Sequence, residues 1–126
     1  MKLLDTTVVI DHLRGYPPAV ALLRRLIEEG SGLAASELVR FELLAGVRPT
    51  EIEALEQFFG AVTWVAADEA VVRAAGALAR LHRAAFSGID TADYIIAATS
   101  ILLDAPLLTT NVRHFPMLKE LKPAYA

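Results

Sequence analysis

Residues 2–13, KLLDTTVVIDHL, set a carboxylate at Asp5 directly behind an apolar run and then resume the apolar pattern. A charge placed in an apolar segment loses hydration, so it needs a helix to cap, an opposite charge or a metal to offset that loss. Residues 2–4 read as a short strand and the segment after Asp5 as a helix to about residue 14, which puts Asp5 at a strand-to-helix junction. At such a junction an aspartate is either an N-cap or one part of a site completed by other segments.

The rest of the chain repeats this alternation. Gly15 and the Pro17-Pro18 pair break the chain ahead of a helix over about residues 18–29. GSGLAAS, residues 30–36, supplies a turn and a second strand, and Ser36 is placed to cap the helix ELVRFELLAGV that Gly46 and Pro49 close. A helix over about residues 50–59 precedes AVTWVA, residues 61–66, the clearest strand by its β-branched and aromatic content. Asp68 caps a long helix expected to run to about Phe86, where Ser87-Gly88 ends it. DTADYIIAATSILLDA, residues 90–105, is an apolar helix led by acids, and PLLTTN, residues 106–111, is a fourth strand. A short helix over about residues 115–121 and an edge strand from KPAYA, residues 122–126, complete the expectation. Strands alternating with helices predict a three-layer α/β/α sandwich around a parallel sheet of four to five strands, a single domain over residues 1–126.

Composition narrows the chemistry. A chain of 126 residues suits one core, and its 55% hydrophobic content and mean hydropathy of +0.44 leave apolar surface for a partner. No apolar run approaches the roughly 18 residues of a membrane span, and Asp5 interrupts the run a signal peptide would need, so a soluble, cytoplasmic protein is expected. Without cysteine there is no disulfide framework and no thiolate zinc site, which leaves oxygen and histidine as metal ligands. The net charge of -3 argues against coating nucleic acid through bulk positive charge.

Open parallel sheets bind ligands at the carboxyl ends of their strands, and the polar residues of this chain fall there. Asp5 follows the first strand, Ser36 and then Glu42 follow the second, and Thr109, Thr110 and Asn111 end the fourth. Glu42 projects roughly 40° from Leu38 on a helix rich in apolar residues and is expected to be partly buried. Asp93 opens its helix with small residues, Ala97 and Ser100, on the same face; capping, with Asp90 as N-cap and Asp93 as the N3 acid, explains both equally well. Three carboxylates brought to one edge repel one another, and a hard divalent cation such as Mg²⁺ or Mn²⁺ removes that repulsion. Such a metal activates water and offsets charge on a phosphoryl group, which makes phosphodiester hydrolysis the leading reaction.

LLDTTVVID, SELVRFELLAG, DTADYIIAATS and LLTTNVRHF, in this order and at these intervals, resemble the PIN domains, and within them the VapC-type ribonuclease toxins of bacterial toxin–antitoxin pairs. The similarity covers essentially the whole chain. It implies that Asp5, Glu42 and Asp93 hold Mg²⁺, with Mn²⁺ able to substitute, and that RNA is cut by a metal-activated water without a covalent intermediate. The family's fourth position, often an aspartate, is Asn111 here, which adds no negative charge and puts a full second metal site in doubt. Thr6 and Thr109 resemble hydroxyl residues that support the site, and Asp90 is a candidate outer ligand as well as a cap. The resemblance further implies a homodimer and a VapB-type antitoxin that lies in an apolar groove, sets a basic side chain in the acidic pocket and alone touches operator DNA.

Arg40, Arg113 and His114 are candidate RNA contacts, with a solvated face as the plain alternative, and His114 is also an alternative to Asn111 at the fourth site position. His12 and His82 have no metal-ligand spacing and read as structural or surface residues. Two other readings compete: a PIN domain that binds RNA or protein without cutting, if Asn111 impairs the site, and a phosphoacceptor receiver domain, suggested by Lys122-Pro123. The receiver reading lacks paired acids after the first strand, where Thr6-Thr7 stand, and leaves Glu42 idle. A haloacid-dehalogenase-type phosphatase fails on Thr7, where it needs a second acid.

Overall fold

The computed structural model describes all 126 residues. Strand β1 (Lys2–Leu4) leads through Asp5 into helix α1 (Thr6–Leu13), and α2 (Pro17–Glu28) follows with its two prolines at the helix start, where no N–H is needed. Strand β2 (Leu33–Ser36) leads into α3 (Glu37–Gly46), a 3₁₀ turn (Pro49–Glu51) and α4 (Ile52–Phe59). Strand β3 (Thr63–Val65), α5 (Glu69–His82), α6 (Thr91–Leu103), β4 (Leu107–Leu108) and a second 3₁₀ turn (Val112–His114) complete the chain.

The four strands form one parallel sheet in the order β3-β2-β1-β4. Leu3 pairs with Ala34 on one side and with Leu107 on the other, so β1 is fully flanked, and Leu3, Leu4, Ala34 and Ala35 are all buried. Helices cover the sheet, with α5 packed on α6 and α1 on both α2 and α3, which gives the layered sandwich expected. The chain steps outward from β1 to β2 and β3 and then returns to β4 on the opposite side of β1. The β1/β4 boundary is therefore the topological switch point, where the connections diverge and leave a crevice beyond the strand ends.

Three elements differ from the sequence expectation. Helix α5 ends at His82, because residues 83–88 are all exposed and have no core to hold another helical turn; Ala85 and Phe86 N–H close back on the His82 carbonyl instead. No helix forms over residues 115–121: Pro116 disfavours helical geometry at the residue before it, and Phe115 sits at φ -127°, ψ 52°. Residues 122–126 add no fifth strand, since Pro123 has no N–H to donate. A single backbone bond, Ala124 N–H to the Thr109 carbonyl at 2.9 Å, ties that tail to the sheet end. No helix is long and apolar enough to cross a membrane.

Candidate active site

Asp5 lies at the carboxyl end of β1 and is only 6% exposed. Its backbone N–H reaches the Leu108 carbonyl, which extends the β1/β4 pairing by one bond, and its Oδ1 accepts from Thr6 N–H at 2.8 Å as the cap of α1. Its Oδ2 accepts from the Thr109 hydroxyl at 2.7 Å. The cap and the site are thus the same residue, and the two strands that meet at the switch point are joined through its carboxylate. Burial pushes the Asp5 carboxyl above its ordinary range, against the opposing pull of Thr109 and of Thr6 N–H.

Glu42 reaches the same edge from α3. Its Oε1 accepts from the Thr6 hydroxyl at 2.8 Å, so Thr6 bonds Asp5 through its N–H and Glu42 through its side chain. Burial raises the Glu42 carboxyl, the Thr6 hydroxyl draws it down, and the charges of Asp5 and Asp90 add to the rise. Glu42 is half-buried, as its place on the helix predicts.

Asp93 is 9% exposed and forms the expected capping box: Asp90 Oδ1 accepts from Asp93 N–H at 3.0 Å, and Asp93 Oδ2 accepts from Asp90 N–H at 3.2 Å. Capping does not use up the side chain. His114 Nδ1 lies 3.0 Å from the same Oδ2 as a donor, while Oδ1 receives no hydrogen bond. Burial pushes the Asp93 carboxyl up to about 6, with the Asp90 charge adding to the rise while Asp90 N–H and His114 oppose it.

The segment after β4 closes the pocket. Thr109 is fully buried and accepts from Asn111 N–H at 2.9 Å, so one hydroxyl both supports Asp5 and folds the turn that presents Asn111. The Asn111 side chain makes no cap bond to the 3₁₀ turn it precedes and is half-buried. His114, expected as an RNA contact or as an alternative to Asn111 at the fourth site position, is the residue that reaches an acid across 21 positions. A histidine followed by Phe115, which is buried at 1% exposure and anchors the turn, is the signal that could have assigned it.

Arg40 is engaged elsewhere. Its guanidinium donates to Glu37 at 2.6 and 3.2 Å and lies 4.9 and 4.2 Å from the ring centroids of Phe59 and Trp64, beside the edge strand β3. Arg113 is exposed on the turn that bears His114. His12 packs on Phe58, and His82 on Phe86, both apart from the acids.

The donor set suits a hard divalent cation. Asp5, Glu42 and Asp93 are all shifted upward and none is hydrogen-bonded to a lysine or arginine, while Glu42 Oε2 and Asp93 Oδ1 are free of hydrogen bonds. As they stand, no three acidic or histidine side chains are close enough together to hold a metal ion between them. Mg²⁺ takes few protein carboxylates and keeps several waters, so one or two of these acids would suffice as direct ligands.

A family model described as PIN domain matches residues 2–120. The chain is 60% identical over 125 residues to Ribonuclease VapC19 of Mycobacterium tuberculosis, covering 99% of this chain and all of that one. It is 37% identical to Ribonuclease VapC10 of the same organism, over 100% of this chain and 94% of the relative. Among solved structures, VapBC2 from Rickettsia felis bound to a promoter DNA fragment superposes with a TM-score of 0.81 at 20% identity, over 95% of this chain and 94% of the other.

Proposed function

The chain belongs to the PIN-domain family and to the VapC-type ribonucleases within it, and from that premise we propose that it is a metal-dependent endoribonuclease acting as the toxin of a toxin–antitoxin pair. Asp5, Glu42 and Asp93 would hold Mg²⁺, for which Mn²⁺ could substitute, and such a cation would supply a water of lowered pKa and offset charge on the phosphoryl group. Thr109 and Thr6 keep the Asp5 and Glu42 carboxylates aimed at one point, and His114 orients Asp93. Asn111 offers a neutral amide at the rim, and Arg113 stands beside it for an RNA phosphate. No histidine is needed as a base.

One observation supports this reading above the others: three carboxylates from three separate elements are raised together by burial at one sheet edge, with no lysine or arginine of the protein paired to them and, among basic side chains, only His114, 3.0 Å from Asp93, opposing the rise. Asp5→Ala and Asp93→Ala are expected to abolish Mg²⁺-dependent RNA cleavage and to relieve growth arrest on expression, while His82→Ala does neither. Undiminished cleavage by a folded Asp5→Ala protein overturns the assignment.

The partner that restrains the toxin is a VapB-type antitoxin, which alone contacts operator DNA. The groove lined by Ile10, Leu13, Leu43, Val47 and Leu55, together with Glu42 and the paired Arg14 and Glu51, suits an apolar antitoxin segment ending in a basic side chain. A cation placed against the acids substitutes electrostatically for the metal. Exposed apolar residues such as Val72 and Leu81 of α5 are available for a homodimer contact.

A further inference from the structure

Asp5 is connected to residues 122–126 by two separate routes. One runs through Thr109, whose hydroxyl donates to Asp5 Oδ2 at 2.7 Å and whose carbonyl accepts from Ala124 N–H at 2.9 Å. The other runs along α1, which Asp5 caps, to Asp11, whose Oδ2 accepts from the Tyr125 hydroxyl at 2.6 Å. Ala124 and Tyr125 are neighbours, so the two routes close a ring of bonds at the β1/β4 switch point.

The pairing of β4 with β1 stops short of Thr109. Its last bond is Asp5 N–H to the Leu108 carbonyl at 3.0 Å. One residue beyond Thr109, the Thr110 N–H lies 3.5 Å from the Thr7 hydroxyl of α1, at the outer limit of a hydrogen bond. The Tyr125–Asp11 bond is short and has a charged acceptor, which makes it the stronger tie to that helix. Burial and Asp11 push the Tyr125 hydroxyl above its ordinary range, so it stays a donor, and its ring rests on Tyr16 with centroids 5.8 Å apart.

Resting on the ribonuclease reading, we propose that Ala124 and Tyr125 form a strap, anchored on Asp11, that fixes Thr109 and through its hydroxyl aims the Asp5 carboxylate. Tyr125 and Asp11 are then positioning residues, since neither is hydrogen-bonded to an acid of the site. The buried Thr109 hydroxyl also accepts from Asn111 N–H, so a displaced Thr109 backbone moves the acid and the fourth position together. Groups that orient a metal ligand from behind matter to the site nearly as much as the ligand itself.

Amide exchange in EDTA, followed by NMR, reads the hold on Thr109 without activity. Tyr125→Phe keeps the ring and deletes only the hydroxyl. It should speed exchange at Asn111 about tenfold beyond any change at Ala97 and Ala98 of the buried helix α6, which report global opening. With Mg²⁺ and a short single-stranded RNA, its kcat should fall about tenfold while KM stays within about twofold. Asp11→Asn keeps an acceptor for Tyr125 and should retain wild-type kcat. Asp11→Ala should match Tyr125→Phe, and the double variant should be no worse than either. Val71→Ala, in the core of α5, is the comparison: it should lower Tm and leave kcat unchanged. Unchanged kcat or unchanged Asn111 exchange in Tyr125→Phe overturns the strap while the ribonuclease reading stands. A fall in kcat that Val71→Ala reproduces at equal loss of Tm overturns it too. If the wild type cuts no RNA, the ribonuclease reading fails, and the strap stands or falls on Asn111 exchange alone.

Discussion

Two groups of acids in this protein have opposite electrostatics. On the helical exterior, Glu37 is drawn below its ordinary range by the Arg40 guanidinium bound to it, and Glu51 by the Arg48 N–H. At the carboxyl edge of the sheet, Asp5, Glu42 and Asp93 are pushed the other way by burial, and their partners are threonine hydroxyls, backbone amides and one histidine. The exterior acids are neutralised by the chain itself. The edge acids are held mainly by hydroxyls and backbone amides that orient a carboxylate without cancelling its charge, and His114 alone among their partners can carry an opposing charge. Such a set is what the proposed cation would neutralise, and the contrast joins burial to the absence of an arginine or lysine partner.

The largest expected effect breaks the inner population by removing a metal ligand. Asp5→Asn keeps the size of the side chain and one acceptor oxygen but loses the charge. Cleavage by the folded variant should fall at least about 1000-fold, equivalent to about 4 kcal/mol of transition-state stabilisation. Single-turnover cleavage of labelled RNA at saturating Mg²⁺ measures it, and a fall of less than about tenfold would remove Asp5 from the ligand set.

The next effect concerns the cation itself. Anything that binds only the folded state stabilises it by mass action, about 2.7 kcal/mol when the ligand stands at 100 times its Kd. Mg²⁺ should therefore raise the Tm of the wild type over that in EDTA, and the rise should shrink sharply in Asp5→Asn and Asp93→Asn while Glu37→Gln keeps it. Equal rises in all four proteins would locate the ion elsewhere.

Much of this arrangement was legible in the sequence, and the reason is local. Strand-to-helix junctions set Asp5 and Ser36, the capping box set Asp90 and Asp93, and helical periodicity turned Glu42 inward; each depends on residues within about one helical turn. The partners these side chains take depend instead on chain segments far apart, and even for Thr6, expected as a supporting hydroxyl, the acid it holds was not legible. Thr6 holds Glu42 across 36 positions, His114 reaches Asp93 across 21, and Tyr125 reaches Asp11 across 114. None leaves a periodic trace. The missing helix over residues 115–121 was a local failure of another kind, since Pro116 marked it and the apolar run around it masked the signal. Arg40 had a charge and a helix in common with Glu42, yet sits about 200° away around the axis, against Phe59 and Trp64 rather than the acids.

A smaller effect sharpens the same division by trading function for stability. An ionised Glu42 in metal-free protein faces the charges of Asp5 and Asp90 with only a hydroxyl in support, so Glu42→Gln should raise the Tm in EDTA by a few degrees, on the order of 1 kcal/mol, while lowering cleavage. The outer acids should behave in the opposite sense: Glu37→Gln loses the pair with Arg40 and should be neutral or slightly destabilising.

The smallest effect is one of slope, and its sign follows from the direction of the shifts. Asp93 titrates at about 6 in the folded chain against an ordinary 3.8, so between those values the folded state binds more protons than the unfolded one. The stability of metal-free protein should therefore fall as pH rises from about 4 to about 6 and level off above, with Asp5 and Glu42 contributing in the same direction. Mg²⁺ needs the deprotonated carboxylates, so its stabilisation grows over that interval. Melting curves at fixed ionic strength in EDTA and in Mg²⁺ should consequently diverge as pH rises. Parallel curves would mean that the edge acids neither repel one another nor share a cation, and the distinction between the two populations would collapse into a difference in exposure alone.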